Sequence, residues 1–483
     1  MSWRNLFHVV GAVVASIGVA MLSAVLVSLV YQEWSDAARI AAAAAITVVI
    51  GVLLWRGFDR PGELTIREGF AAVGLSWTAM CLVGVLPYLL TGSIDNITDA
   101  IFETTAGFTT TGSSIIPDPS LLPHGIQFWR SLTQWIGGMG IIVLSVAILP
   151  LLGMGAVQLA RAESPGPTPD RLTPRFRETA KRLWLVYVVF TAAEMVLLWI
   201  GDMSLFEAIN HSLTTLSTGG FSTSSGSLGA FSAYAQWVVI GFMVLAGMSF
   251  TLHFRAARDL RSYWESAELK LYLGIILGAA VLITIGTWGG AVADVIRDAV
   301  FTAASIITTT GYGTADFGMW APALQIMIVG MMFIGGMAGS TSGSVKVYRL
   351  ELLVQASKVD VRRLIHPRRV FVTRIGKTPV PDPIVEATQT FFLLYMFAFM
   401  TGTFLFGIIG STMADPQIDV VTSVSAVASS IGNVGPALGQ LGPTETYIAV
   451  PWLGKYLLAV LMIVGRLEIL PILILFNREL WRR

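Results

Sequence analysis

Ten apolar stretches dominate this 483-residue chain, near residues 6–31, 38–56, 68–91, 125–152, 179–201, 233–254, 269–289, 320–348, 384–411 and 447–476. As a helix, each is long enough to cross about 30 Å of hydrocarbon. Backbone amides inside lipid must be satisfied within the protein, so runs of this length and number predict an all-α polytopic membrane protein. Composition leaves no soluble alternative, because 54% of residues are hydrophobic and only 13% charged, against about a quarter charged in a soluble domain. The first run follows Arg4 as a signal-peptide core would, but it is longer than the about 7–15 residues of such a core and no A-x-A site directly follows it. It is expected to be a retained helix.

Chemistry-bearing motifs are absent. Cys81 is the only cysteine, and His8, His124, His211, His253 and His366 lack ligand spacing. No HExxH, Walker A loop or GxSxG occurs. These absences argue against a disulfide framework, a thiolate metal site, a bound organic cofactor and an enzyme.

Between the long runs lie half-apolar segments near 97–110, 205–218, 296–309 and 417–430, rich in Thr, Ser and Gly. They are too short to cross a bilayer and too apolar for open loops. Cytoplasmic loops collect Lys and Arg. With the amino terminus inside and spans alternating, 26 of the 31 basic residues fall on the inner side, while outer loops hold only Arg39, Arg130, Arg297 and Lys455. This works only if each short segment enters and leaves on the outer side, so all four are expected to be re-entrant and both termini cytoplasmic. The acidic residues divide evenly, 14 inner and 14 outer, with Glu194 and Glu468 inside spans. The outer face is therefore negative, either as a funnel that concentrates cations or simply because Lys and Arg are excluded from translocated loops.

The short segments repeat. In one gapless register they read AIFETTAGFTTTGSS from Ala100, AINHSLTTLSTGGFS from Ala208, AVFTAASIITTTGYG from Ala299 and VVTSVSAVASSIGNV from Val420, with glycine thirteenth in each: Gly112, Gly220, Gly311 and Gly432. Irregular backbone at membrane depth is tolerated only when buried or lining water. Four such loops around an axis would turn carbonyl oxygens toward a dehydrated cation, and glycine permits the dihedrals this requires. The expected ion-binding residues are Thr110, Thr111, Gly112 and Ser113; Thr218, Gly219, Gly220 and Phe221; Thr309, Thr310, Gly311 and Tyr312; and Ser430, Ile431, Gly432 and Asn433. TTTGYG is close to the TVGYG filter of K⁺ channels. Gly137, Gly138 and Gly140 read instead as helix-packing glycines.

Two further features lie below that level. The run Gly335-Gly336-Met337-Ala338-Gly339-Ser340-Thr341-Ser342-Gly343-Ser344, followed by Lys346, interrupts the eighth apolar stretch. Each glycine weakens a helix by about 1 kcal/mol relative to alanine, so a loop is expected there. Arg466 falls inside the last stretch, too deep to snorkel if the helix runs straight to Asn477. It is expected either to face the pore and contact that loop as a barrier to cations, or to sit in a buried ion pair with an acid from another repeat; Glu468 is on the wrong helix face to be that acid.

The four segments, GGMAGSTSGSVK at 335–346 and GRLEIL at 465–470 resemble the Trk/Ktr/HKT superfamily of K⁺ transporters over essentially the whole chain, and within it the bacterial TrkH/TrkG type. The resemblance implies an amino-terminal hairpin (1–57) and four M1–P–M2 repeats, at 58–160, 161–258, 259–358 and 359–483, around one pseudo-fourfold pore. It implies K⁺ as the transported ion, an intramembrane gating loop at Gly335, Gly336, Gly339, Ser340, Thr341, Gly343 and Lys346 with Arg466, and a homodimer in the bacterial inner membrane. A TrkA-like nucleotide-binding regulatory subunit on the cytoplasmic side is also implied. The nine basic residues from Lys346 to Lys377 suit either such a partner or anionic membrane lipid. Ile431 and Asn433 depart from the other repeats, so four equivalent carbonyl rings are not expected. The reading is gated potassium uptake; the alternative is an alternating-access transporter coupled to H⁺ or Na⁺.

Overall fold

The computed structural model describes residues 3–58, 66–148, 172–376, 378–469 and 471–472; the expectations that rest on 149–171 and 473–483 lie outside them. The chain opens with a hairpin of α1 (Trp3–Val30) and α2 (Trp34–Gly57). Small residues bring these helices together: a Cβ on Gly11 would overlap Gly51 O and Trp55 N, and one on Gly51 would overlap Ala15. Close van der Waals approach of this kind associates helices where lipid is as apolar as the side chains. The hairpin is tied to the next unit at its turn, where Glu33 accepts from His124 N–H at 2.8 Å and the His124 ring stacks on Tyr31 at 3.8 Å.

Four units follow, each a long helix, a short helix, an extended segment and a second helix. The first contains α3 (Ile66–Val83), α4 (Leu86–Thr91), α5 (Ile97–Phe108) and α6 (His124–Ile148). The second contains α7 (Leu172–Ile200), α8 (Leu205–Leu216), α9 (Ala233–Ala246) and α10 (Phe250–Ala256), with α11 (Arg261–Glu265) as a connector. The third contains α12 (Ala267–Gly286), α13 (Val292–Ile307), α14 (Pro322–Met331) and α15 (Val347–Ile365). A two-residue antiparallel pair, Arg374–Ile375 with Thr378–Pro379, precedes the fourth unit of α16 (Asp382–Met413), α17 (Val420–Gly432) and α18 (Trp452–Arg466).

Among the described residues six helices are long and apolar enough to span a membrane: the hairpin and the first helix of each unit. The second helices differ from the uninterrupted spans expected at 233–254 and 447–476. Between α9 and α10 the chain bends by 98° at Gly247–Ser249, and α18 ends at Arg466, where Glu468 and Ile469 turn through positive φ of 58° and 61°. The depth of Arg466 along a straight helix to Asn477 therefore does not hold. α14 stops at Met331 and irregular backbone fills 332–346, as the glycine-rich sequence predicts.

The short helices α5, α8, α13 and α17 are buried along their second halves and begin at polar caps where the sequence supplies one. Asn96 accepts from Thr98 N–H, Asp419 accepts from Thr422 N–H, and Ser204 with Glu207 forms a reciprocal capping box. Each cap is worth about 1 kcal/mol. Their carboxyl ends lead directly into the segments expected to bind ions. A helix terminus of that sign carries about half a negative charge, favourable to a nearby cation.

Candidate functional site

The same main-chain turn leaves three of the short helices. After α5, Thr110 N–H donates to Gly107 O, and the N–H groups of Thr111 and Gly112 both donate to Ala106 O. Thr218, Gly219 and Gly220 repeat this after α8, and Thr309, Thr310 and Gly311 after α13. The threonines at the turn hold φ of 53°, 53° and 56° and the glycines 81°, 80° and 81°. Positive φ in a β-branched residue is rare and strained, so its threefold recurrence marks a site that the surrounding structure over-determines.

The fourth unit shows the same turn three residues later than the gapless register places it. Asn433 has φ 54° and Gly435 φ 111°; Asn433 N–H donates to Ser430 O and Val434 N–H to Ser429 O, while Gly435 N–H uses Ser429 Oγ instead of a carbonyl. Ser430, Ile431 and Gly432 are the last turn of α17. Packing agrees: Gly137 and Gly465 lie against the carbonyls of Phe108 and Ile431, which match only in the shifted register. The fourth extended segment is thus Asn433–Pro436, and its glycine is Gly435. GNVG offers two glycines, and a search without gaps stops at the wrong one.

In that register the four glycines close a ring. A Cβ on Gly112 would overlap Gly219 O, on Gly220 Thr310 O, on Gly311 Val434 O, and on Gly435 Thr111 O. Each glycine therefore faces the carbonyl one residue before the glycine of the next unit, in the cyclic order one, two, three, four, one. Ser113 Oγ donates to Gly435 O at 2.9 Å and Asn433 Nδ2 to Thr111 Oγ1 at 2.9 Å, fastening the fourth segment to the first. Tyr312 OH shares a 2.5 Å bond with Thr214 Oγ1, fastening the third to the second. Thr110 Oγ1 and Asn433 Oδ1 are buried without a protein partner, oxygens available to a ligand. Above the ring opens a cavity of about 130 Å³ lined by Gly112, Gly220, Gly311, Gly435, Pro436 and Glu445.

Two outer cations expected in loops are instead buried in helices. Arg130 on α6 pairs with Glu103 on α5 at 2.9 Å, with side chains 3% and 0% exposed, and Lys455 on α18 pairs with Asp99 at 2.6 Å. Glu103 also accepts from Ser114 Oγ and Ile115 N–H, so this pair anchors the chain just beyond the first segment. Glu103 was legible only as an acid in an otherwise apolar and hydroxyl-rich helix.

Directly below the ring lies the glycine-rich loop. Gly343 N–H donates to Thr309 Oγ1 at 2.7 Å, and a Cβ on Gly343 would overlap Gly432 O. Gly336 packs on the Gly247 carbonyl, which the bend between α9 and α10 frees to accept from Met337 N–H at 2.8 Å; Phe250 N–H donates to Gly339 O at 3.1 Å. Gly335 N–H closes the loop's base on Val345 O at 2.8 Å. Thr341 Oγ1 donates to Leu216 O at 3.0 Å, and Lys346 Nζ bonds Ser342 O and lies 3.4 Å from Ser340 Oγ. Arg466 reaches the same loop: Nη1 donates to Thr341 O at 2.7 Å and Nη2 to Gly137 O at 3.3 Å. Among the described residues it has no acidic partner; Glu468 pairs instead with Arg349 at 2.5 Å.

The family model described as "TrkH: Cation transport protein" matches residues 36–285 and 290–482. The chain belongs to the TrkH family. It is 36% identical over 491 residues, all of both chains, to the Trk system potassium uptake protein TrkH of Salmonella typhimurium. With the Trk system potassium uptake protein TrkG of Escherichia coli K12 it shares 33% identity over 99% of each. The crystal structure of the potassium transporter TrkH from Vibrio parahaemolyticus superposes over all of both chains with a TM-score of 0.90 at 34% identity. Membership makes this TrkH-family chain a multi-pass membrane transport protein and not an enzyme.

Proposed function

We propose that this protein takes up K⁺ across the bacterial inner membrane through a pore on the pseudo-fourfold axis, with both termini cytoplasmic. The observation that carries the reading is the closed ring of Gly112, Gly220, Gly311 and Gly435 against the carbonyls of Thr111, Gly219, Thr310 and Val434. Such a ring replaces a hydration shell, at the negative ends of four helices and beneath a mouth whose buried cations are already paired. Ions would pass Thr110–Ser113, Thr218–Phe221, Thr309–Tyr312 and Asn433–Pro436 in turn, Rb⁺ about as well as K⁺ and Na⁺ much less.

The loop 335–346 then closes the lower exit, and Arg466, bonded to it, is an electrostatic barrier. The relatives' names place them in a Trk system, which supports a multi-component assembly; the assembly we propose is a homodimer with a TrkA-like nucleotide-binding subunit docking near the basic stretch 346–377. The units divide near 57, 160, 258 and 358. Uptake of K⁺, Rb⁺ and Na⁺ into proteoliposomes, with and without an imposed H⁺ or Na⁺ gradient, tests this. K⁺ flux that requires such a gradient would favour alternating access, and failure to rescue a K⁺-uptake-deficient bacterium at low K⁺, with the partner supplied, would sink the proposal.

A further inference from the structure

The second of the four segments lacks a brace that the first and third have. The first and third read Thr-Thr-Thr-Gly, and in each the outer two threonines of the triplet bond each other: Thr109 Oγ1 to Thr111 Oγ1 at 2.8 Å, and Thr308 Oγ1 to Thr310 Oγ1 at 2.7 Å. The second reads Ser217-Thr218-Gly219-Gly220. Glycine at 219 removes the hydroxyl pair and leaves two consecutive residues with the widest backbone freedom.

What fills the space comes from the preceding unit. Gln134, on α6 and wholly buried, donates from Nε2 to Gly219 O at 2.7 Å and accepts at Oε1 from Phe221 N–H at 3.1 Å. Its amide spans Gly220, and the two bonds together fix its orientation, since a carbonyl only accepts and an N–H only donates. A Cβ at position 219 would overlap Gln134 Cδ, so the glycine and the glutamine are two halves of one arrangement. The same face of α6 supports the segment a turn to either side. The Arg130 guanidinium lies 4.2 Å from the Phe221 ring centroid, and a Cβ on Gly138 would come 2.8 Å from Ser217 Cα. Among the described residues, Gly219 O is the only one of the ring carbonyls of Thr111, Gly219, Thr310 and Val434 that accepts a hydrogen bond from the protein.

We propose that Gln134 is a positioning residue that determines ion specificity. It holds the Gly219 carbonyl level with its three counterparts and replaces, from outside, the hydroxyl pair the second segment lacks. Selectivity depends on how many carbonyl dipoles coordinate the ion and how strongly, so releasing one of four degrades discrimination before it stops conduction. This inference rests on the filter reading above.

The test is the ratio of Na⁺ to K⁺ flux in proteoliposomes of the full-length protein, with gel-filtration elution as the control for folding. Gln134→Leu and Gln134→Met each remove donor and acceptor, the Met with a side chain of nearly the same length as glutamine. Each is expected to raise the ratio about tenfold, the scale of one lost hydrogen bond to a fixed group. Gln134→Ala should do the same. An unchanged ratio in a folded Leu variant, beside a K⁺-selective wild type, overturns this proposal and leaves the filter reading intact. A wild type without K⁺ preference overturns both. Should the Leu variant not fold, the Met variant, closest to glutamine in length, decides by the same ratio.

Discussion

The ring and the loop beneath it are built from the same residue types, glycine, serine and threonine, yet they are held in opposite ways. The ring repeats one pattern four times, its turns closed by hydrogen bonds within each unit and its glycines wedged against a neighbour's carbonyl. The loop occurs once, and its bonds run to three other units: Gly247 and Leu216 in the second, Arg466 in the fourth, and Gly137 in the first through Arg466. A structure closed on itself is stiff and changes only by breaking. One fastened by separate bonds to several partners can exchange them, as the gating role proposed above would require. Conformational change draws on regions whose opening costs little.

The largest effect should come from the ring. Gly435→Ala places a Cβ against Thr111 O at a φ of 111°, a conformation costing a non-glycine residue about 1–3 kcal/mol before any clash. K⁺ preference over Na⁺ should fall at least roughly tenfold, the factor for about 1.4 kcal/mol, or the protein should fail to assemble. Gly432→Ala meets Met332 O at 2.8 Å, on the side of the loop; it should lower the melting temperature and leave the flux ratio alone. The reverse outcome would restore the gapless register.

That pair of variants also measures what the sequence conveyed. The turns after α5, α8 and α13 were legible because TTTG, STGG and TTTG share one local solution: a strained threonine or its equivalent, then a glycine. The fourth was not, because Asn433 takes the threonine's place and Val434 that of a hydroxyl residue, while Gly432 supplies a decoy. The loop's existence was legible from its glycines. The bend at 247–249 and the end of α18 were not, since both depend on what packs against them: the loop itself at Gly247, and Thr341 at Arg466. The burial of Arg130 and Lys455 was hidden for a similar reason, because charge counting assigns a residue to a side of the membrane but cannot see its partner.

Next in size is the support behind the ring. Arg130→Met leaves Glu103 wholly buried without its counter-ion, which should cost about 3–5 kcal/mol of stability. Arg130→Met with Glu103→Leu should recover most of it, read as the melting temperature in detergent. If the single and double variants melt alike, the pair is not what anchors the first segment.

Arg466→Gln tests the loop side. The shorter amide removes the charge and releases Thr341 O, so K⁺ flux should rise roughly tenfold, as when a barrier falls by about 1.4 kcal/mol, while the K⁺ to Na⁺ ratio stays as it was. A changed ratio with unchanged flux would mean that Arg466 acts on the ring and that the two regions are one.

The smallest effect is expected where the loop's stem meets the fourth unit. Arg349, one turn into α15, reaches Glu468 just past the end of α18 at 2.5 Å and stacks 4.1 Å from the Phe391 ring centroid. Glu468 is a quarter exposed, its side chain at 26%, while Arg349 is at 6%, so solvent screens the pair only in part. Glu468→Gln keeps an oxygen for Arg349 to donate to. Stability should drop by about 1–2 kcal/mol, less than for the fully buried pair, with K⁺ flux up about twofold and selectivity unchanged. The direction matters more than the size. The pair ties α15, which leads out of the loop, to the turn that presents Arg466, so loosening it should act on flux in the same direction as Arg466→Gln. If the two substitutions combine without adding, the loop, Arg349 and Arg466 move as one element. If they add fully, the inner half is a set of independent contacts, and its contrast with the ring would be one of symmetry alone.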